Sequence, residues 1–240
     1  MTPARGTILL VGLGGIGAPA AMILARSGLT GTLSVCDDDV VDVLNLHRQI
    51  LFGQADVGRP KIEPAERLAR PGLTVDARAV RATPETIDEL LLGVDVVVDG
   101  SDNFATKFLV ADAAGLANVA AITAAAVEWR GTVFSATGRG GPCYRCLFED
   151  VPSGPTPACA DVGVMGPLVG LVGALAADAA LRHLRGQGVG GELLSVSPAG
   201  AVRRHVVGAR TDCALCGTTP RITRLVRAHY TQGLGASVGS

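Results

Sequence analysis

Four of the six cysteines in this 240-residue chain stand in two C-x-x-C pairs, Cys143/Cys146 and Cys213/Cys216. Two such knuckles offer four thiolates with the spacing of a tetrahedral zinc shell. Four protein ligands leave no open coordination position, so the expected zinc is structural. The pairs lie far apart in sequence, and a shared metal would therefore staple the C-terminal segment to the body of the fold. A redox role for one pair is the competing reading, and two pairs in register weigh against it. Disulfide frameworks belong to small secreted domains, which this chain is not. The remaining two cysteines differ from these. Cys36 sits in an apolar run and reads as a small buried hydrophobe. Cys159 stands alone in a Pro- and Gly-rich stretch, where it is either an incidental thiol or a nucleophile.

A second chemistry is carried by glycines. Gly12-Leu13-Gly14-Gly15-Ile16-Gly17 follows an apolar run (7–11) and precedes a helix-compatible stretch (18–27). Glycines there let a phosphate approach the backbone, and the helix start supplies unpaired N–H groups. The acidic triplet Asp37-Asp38-Asp39 ends the next run, where a carboxylate can accept hydrogen bonds from ribose hydroxyls. The glycine motif alone favours a nicotinamide or flavin enzyme. The following residues, Asn45, Arg48 and Gln49 with Arg59-Pro60-Lys61, shift the balance. Cations just past a ribose-binding carboxylate suit nucleotidyl transfer, in which triphosphate charge must be offset. In a helix Asn45 and Arg48 would share a face; the bland alternative is a solvated surface helix. Asp102-Asn103 ends a further apolar run, where Asp102 could hold Mg2+. The same residues would also serve as a helix N-cap, and both roles can coexist.

These groups need a scaffold. Runs at 7–11, 33–36, 73–80, 94–98 and 119–123 read as buried parallel strands alternating with helices at 18–27, 61–69 and 104–118, with Pro64 in the first turn of the second. Thr83 followed by Pro84 signals a further helix start. From Trp129 onward the pattern becomes hairpin-like, interrupted by a long apolar helix at 165–184. The expected fold is α/β: a doubly wound, mostly parallel Rossmann-like sheet with an antiparallel edge extension. No internal repeat or long linker divides it. The expectation is one domain over 1–240, with a zinc-stapled part at 140–217 and a basic tail at 218–240.

Composition limits the partners. A formal net charge of −1 and 3% aromatic residues argue against nucleic acid or an anionic membrane surface. The uncharged stretch 6–25 carries phosphate-loop glycines rather than a cleavage site, and the run 165–177 is too short to span a bilayer. A cytoplasmic protein is expected. His47 lies in the cationic segment, whereas His183, His205 and His229 form no metal or triad pattern. Ser135 and Ser195 lack the G-x-S-x-G setting of a hydrolase.

Taken in order, VGLGGIG (11–17), DDDVVDVLNLHRQ (37–49), VGRPK (57–61), SDN (101–103), EWRGTVF (128–134), PCYRC (142–146), CADVGVMGPLVG (159–170) and CALC (213–216) resemble the ThiF/MoeB-type (HesA/MoeB/ThiF) adenylyltransferases, relatives of ubiquitin-activating enzymes. The resemblance implies an enzyme that uses ATP and Mg2+ to adenylate the C-terminal glycine carboxylate of a small ubiquitin-like sulfur-carrier protein ending in Gly-Gly. It implies that Gly14, Gly15 and Gly17 line the phosphates and that Asp37 binds the ribose. Asp39, Asn45, Arg48, Gln49 and Lys61 would surround the triphosphate, and Asp102 would hold Mg2+ beside Asn103. Cys159 matches a crossover-loop cysteine that can become linked to the carrier. A homodimer and a sulfurtransferase partner are implied as well. Nothing before residue 7 resembles that family's N-terminal arginine arm; either the arm is supplied elsewhere, another residue substitutes, or activity is weak. Two alternatives are adenylation of a peptide or amino-acid carboxylate, and a catalytically silent partner of a heterodimeric activating enzyme. On this reading Arg48→Ala or Lys61→Ala abolishes pyrophosphate exchange while leaving the fold intact.

Overall fold

Residues 4–152 and 163–230 are described by the computed structural model. The apolar runs become strands β1 (Arg5–Val11), β2 (Thr30–Cys36), β3 (Leu73–Arg78), β4 (Val96–Asp99) and β5 (Ala120–Val127). With β6 (Arg130–Ala136), β7 (Glu192–Val196) and β8 (Val202–Val206) they form one eight-stranded sheet in the order β3-β2-β1-β4-β5-β6-β7-β8. Neighbours run parallel from β3 to β5 and antiparallel from β5 to β8. The expected Rossmann-like sheet with an antiparallel extension is therefore present.

Successive side chains of β1 point to opposite faces, and each face finds a helical layer. Ile8 and Leu10 join Leu24 of α1 (Gly17–Arg26) and Val172 and Ala176 of α6 (Gly166–Leu184). Leu9 and Val11 join Ile87 of α3 (Ile87–Leu90) and Phe108 of α4 (Phe104–Ala117). Both faces are dry, which is why these strands read as continuous apolar runs rather than alternating ones. The abundance of Ala and Gly has a packing cause: a Cβ on Gly173 would lie 2.6 Å from the carbonyl oxygen of Ile16, so α1 and α6 meet almost backbone to backbone. By length and composition α6 is apolar enough to cross a membrane. Here it buries Leu168, Val169, Val172 and Leu181 in the fold.

Some helical expectations shorten. The segment after Asp42 forms a single 3-10 turn (Val43–Asn45), capped by the Asp42 carboxylate accepting from the Leu44 N–H at 2.8 Å. Residues 61–69 split into α2 (Ile62–Ala65) and a 3-10 turn (Glu66–Leu68), with Pro64 in the first turn as expected. The Thr83 signal opens a turn rather than a helix, and regular helix begins at Ile87. The Thr86 hydroxyl accepts from the Thr83 N–H at 2.9 Å, a local bond that competes with helical pairing. Asn103 caps α4 by accepting from the Thr106 N–H at 2.8 Å. Asn118 ends that helix in the left-handed conformation (φ 58°). A single turn, α5 (Tyr144–Leu147), carries the first cysteine knuckle.

Candidate active site and metal centre

Parallel strands leave their C-terminal ends on one edge, and chain reversal on either side of β1 opens a crevice there. A cavity of about 420 Å³ occupies that place, within the usual range for ligand sites. Its wall includes Gly14, Gly15, Asp37, Asp39, Arg48, Gln49, Lys61, Asp102 and Asn103. Nine of the expected nucleotide-binding residues thus share one cavity. Gly17 and Asn45 do not line it. Gly17 serves through space: a Cβ there would stand 1.8 Å from the Gly12 carbonyl oxygen, so α1 could not begin so close to the turn. Gly12 itself has φ +85°, a conformation that favours glycine. The Asn45 carbonyl accepts from the N–H groups of Arg48 (3.1 Å) and Gln49 (2.9 Å), two residues that do line the cavity.

The charges are arranged in layers. The Asp37 carboxylate accepts from the Leu13 N–H at 2.7 Å and from the Asp39 N–H at 2.9 Å, which locks the second strand's end against the glycine turn. Burial pushes its pKa above the usual aspartate value, with the Lys61 ammonium and the two amides pulling the other way. Lys61 is 5% exposed. It donates to Asp39 at 2.8 Å and lies 3.8 Å from Asp37. Its removal therefore also breaks a standing ion pair, so intact folding is the expectation for Arg48→Ala more than for Lys61→Ala. The aliphatic stem of Arg48 lies over the glycine turn, with its Cγ and Cδ 3.5 Å from where a Gly15 Cβ would be. The Gln49 Oε1 and Ser101 Oγ atoms are buried with no hydrogen-bond partner among the described residues, and both residues line the cavity. Buried polar atoms are normally paired. Unpaired polar atoms on residues of a wall lined by cations and glycines fit a polar nucleotide.

The loop between β4 and α4 is held from three sides. Gly100 N–H donates to the Val11 carbonyl at 2.9 Å, and Ser101 N–H donates to Asp99 Oδ1 at 2.9 Å. Asn103 is fixed by its cap, so the N-cap reading holds for Asn103. Asp102 is exposed on this loop and has no ion-pair partner among the described residues. A free carboxylate beside an orphan hydroxyl suits a hard divalent cation such as Mg2+. Sequence reasoning missed Asp99 and Lys107 here. Their signal was two charges inside otherwise apolar segments, VVVD and FATKFLV. It also missed Arg81, which lines the cavity and binds the Asp38 carboxylate at 2.9 Å.

The cysteine prediction is met by distance. Cys143 Sγ and Cys213 Sγ are 3.5 Å apart, Cys146 Sγ and Cys216 Sγ 3.3 Å, and all four atoms lie within 4.8 Å of one another. A tetrahedral zinc with bonds of about 2.3 Å requires sulfur separations of about 3.8 Å, so the set fits. The Arg210 N–H points at Cys146 Sγ (3.4 Å), the kind of outer contact that orients a thiolate ligand. Between the first pair, Arg145 is 3% exposed and forks onto Asp112 of α4 at 2.9 Å. Tyr230 donates to the same carboxylate at 3.0 Å, so part of the expected basic tail is docked in the core. Cys36 is buried and its thiol is pushed up to about 12, chiefly by that burial, as befits an inert hydrophobe. Cys159 lies outside the described residues.

Comparison with known proteins agrees with this arrangement. The ThiF family model matches residues 4–213. A sulfur carrier protein adenylyltransferase of Thermus thermophilus is 39% identical over 234 residues, covering 92% of this chain and 86% of that one. The adenylyltransferase and sulfurtransferase MOCS3 of Sus scrofa is 40% identical over 230 residues, and the match spans 50% of its length. Among solved structures, E. coli MccB with MccA-N7isoASN superposes with a TM-score of 0.75 at 22% identity. That match covers 89% of this chain and 67% of the other, a likeness of fold.

Proposed function

Because this chain belongs to the ThiF family, we propose that it adenylates the C-terminal glycine carboxylate of a small ubiquitin-like sulfur-carrier protein at the expense of ATP. The observation that carries the reading is the convergence of Arg48 over the Gly15 turn and Lys61 between Asp37 and Asp39, in one cavity with the free carboxylate of Asp102. Cations at a glycine turn neutralise phosphate charge where an acyl group must approach. The relatives near 40% identity include one named a sulfur carrier protein adenylyltransferase, which supports this substrate class over a free peptide.

In the proposed reaction a carboxylate oxygen of the carrier attacks the α-phosphorus. That O–P bond forms as the bond to the bridging oxygen breaks, and pyrophosphate leaves. The carboxylate is already ionised at neutral pH, so no general base is required. Asp37 would accept from the ribose, Gly14 and Gly15 would admit the phosphates, and Arg48 with Lys61 would offset their charge. Gln49 Oε1 is available to a ligand donor. Asp102 would hold Mg2+, which supplies charge neutralisation on the phosphate oxygens when bound. Cys143, Cys146, Cys213 and Cys216 would hold a structural zinc. A homodimer, a sulfurtransferase partner, a carrier-linked role for Cys159 and a cytoplasmic location belong to the same proposal. The exposed Val43, Leu44 and Ile50 beside the cationic segment support self-association. The sulfurtransferase in the name of MOCS3 supports such a partner.

The test is ATP–pyrophosphate exchange driven by candidate carriers ending in Gly-Gly, with mass spectrometry of the carrier for the adenylate. Wild-type protein exchanges label when a carrier is present, and Arg48→Ala lowers the rate by about 100-fold or more while keeping the wild-type melting temperature. Exchange unchanged by Arg48→Ala, or exchange with free peptides alone, overturns the assignment.

A further inference from the structure

The loop that presents Asp102 is tied to an ion pair the proposed chemistry does not use. Lys107 projects from the second turn of α4 and is 4% exposed, and Asp99 at the end of β4 is 1% exposed. Lys107 Nζ lies 3.3 Å from Asp99 Oδ2 and donates to the Ala124 carbonyl of β5 at 2.6 Å. The other carboxylate oxygen of Asp99 accepts from the Ser101 N–H. One ammonium therefore links the end of β4 and the middle of β5 to the backbone immediately before Asp102. A buried charge pair is a poor stabiliser compared with apolar packing, so its presence at a cavity wall calls for a use. Lys107 also lines the cavity, as do its neighbours Ser101 and Ala125.

We propose that Lys107 is a positioning residue: through Asp99 it fixes the Ser101–Asp102 backbone so that the Asp102 carboxylate and the Ser101 hydroxyl face a nucleotide-bound divalent cation. The inference rests on the functional reading above. It assigns Lys107 to the metal dependence of nucleotide binding rather than to direct phosphate contact. Three features set that division. Lys107 already spends two of its three donors on Asp99 and Ala124. Arg48 and Lys61 approach from the glycine-turn side. Asp102 is the carboxylate of this loop without an ion-pair partner among the described residues.

The experiment is calorimetric titration of ATP into the full chain, with and without Mg2+, for wild type, Lys107→Arg, Lys107→Met and the double variant Asp99→Asn/Lys107→Met. Melting temperatures are recorded in parallel. Lys107→Met should bind metal-free ATP within about twofold of wild type. The Mg2+ concentration that half-saturates the enhancement should rise by about 10- to 100-fold, the range for loss of an outer-shell support. Lys107→Arg should recover most of that loss. The double variant removes both buried charges and so guards against a fold lost through an unpaired Asp99; it should melt near wild type yet keep the Mg2+ defect. A Mg2+ requirement unchanged in the double variant, whatever happens to the melting temperature, means a structural pair and overturns the proposal. A fall in metal-free ATP affinity in Lys107→Met overturns it too, because Lys107 would then touch phosphate. Wild-type protein that binds no ATP ends the functional reading itself, a result distinct from either.

Discussion

The cavity beside the glycine turn and the cysteine cluster beyond α4 both draw charge into the fold, and they finish it differently. At the cavity the polar groups stop short of satisfying one another. Among the described residues Asp102 has no ion-pair partner and Gln49 Oε1 and Ser101 Oγ have no hydrogen-bond partner, and Arg48 rests its stem on glycine. At the cluster, thiolate faces thiolate around a metal-sized centre, and Arg145, Asp112 and Tyr230 close a network beside it. One helix serves both ends: α4 and its cap offer Lys107 and Asn103 to the cavity, and α4 offers Asp112 to the network beside the cysteines. The difference teaches which region is for binding. Unspent hydrogen-bonding capacity inside a fold is destabilising unless a ligand uses it, whereas a closed network resists change.

The comparison breaks first at the cysteines. Purified protein should carry one zinc per chain. A strong chelator, or Cys213→Ser, should lower the melting temperature steeply and expose residues 208–230 to protease. Structural zinc in small domains contributes on the order of 10 kcal/mol. An unchanged melting temperature after complete metal removal would deny the staple.

Next in size is Arg145→Met, which leaves the Asp112 carboxylate buried beside Tyr230 without its guanidinium. Stripping one partner from a buried pair costs about 3–5 kcal/mol, read as the midpoint of denaturant unfolding. ATP affinity of the folded protein should hold within about twofold, because the staple and the cavity are separate in function. Loss of ATP binding in the folded variant would merge the two regions into one.

The smallest effect sharpens the cavity side. Burial raises the Asp37 pKa, so the folded chain takes up this proton at a higher pH than the unfolded chain does. Ionised Asp37 therefore works against stability at neutral pH, and that penalty is relieved as pH falls through the raised value. Ribose binding needs the opposite state. ATP affinity should weaken across the same acid window, and Asp37→Asn should bind ATP more weakly at neutral pH with that limb flattened. A wild-type affinity that is flat down to the ordinary aspartate range would remove Asp37 from the site.

Much of this molecule was legible because its motifs are local. Gly12–Gly17 had to be a turn opening a helix, since a side chain at Gly17 meets the Gly12 carbonyl within the same few residues. The two C-x-x-C pairs announced that four sulfurs would gather at one place, because that spacing suits a tetrahedral set of ligands. The helix at Thr83 was misjudged because a threonine hydroxyl bonds its neighbours as readily as it starts a helix. A helix that would set Asn45 and Arg48 on one face was expected, and the segment instead forms a 3-10 turn at Val43–Asn45.

The order of strands along the chain, the glycine turn, the cations after the second strand and the two cysteine pairs were determined by sequence, because each depends on steric or chemical limits that act over a few residues. Tertiary structure alone decided that Lys107 meets Asp99 and Ala124, that Arg145 meets Asp112 and Tyr230, and that Lys61 is sealed against Asp39. Whether a charged side chain is solvated or paired depends on which distant segment shares its low-dielectric surroundings, and no spacing within the chain records that.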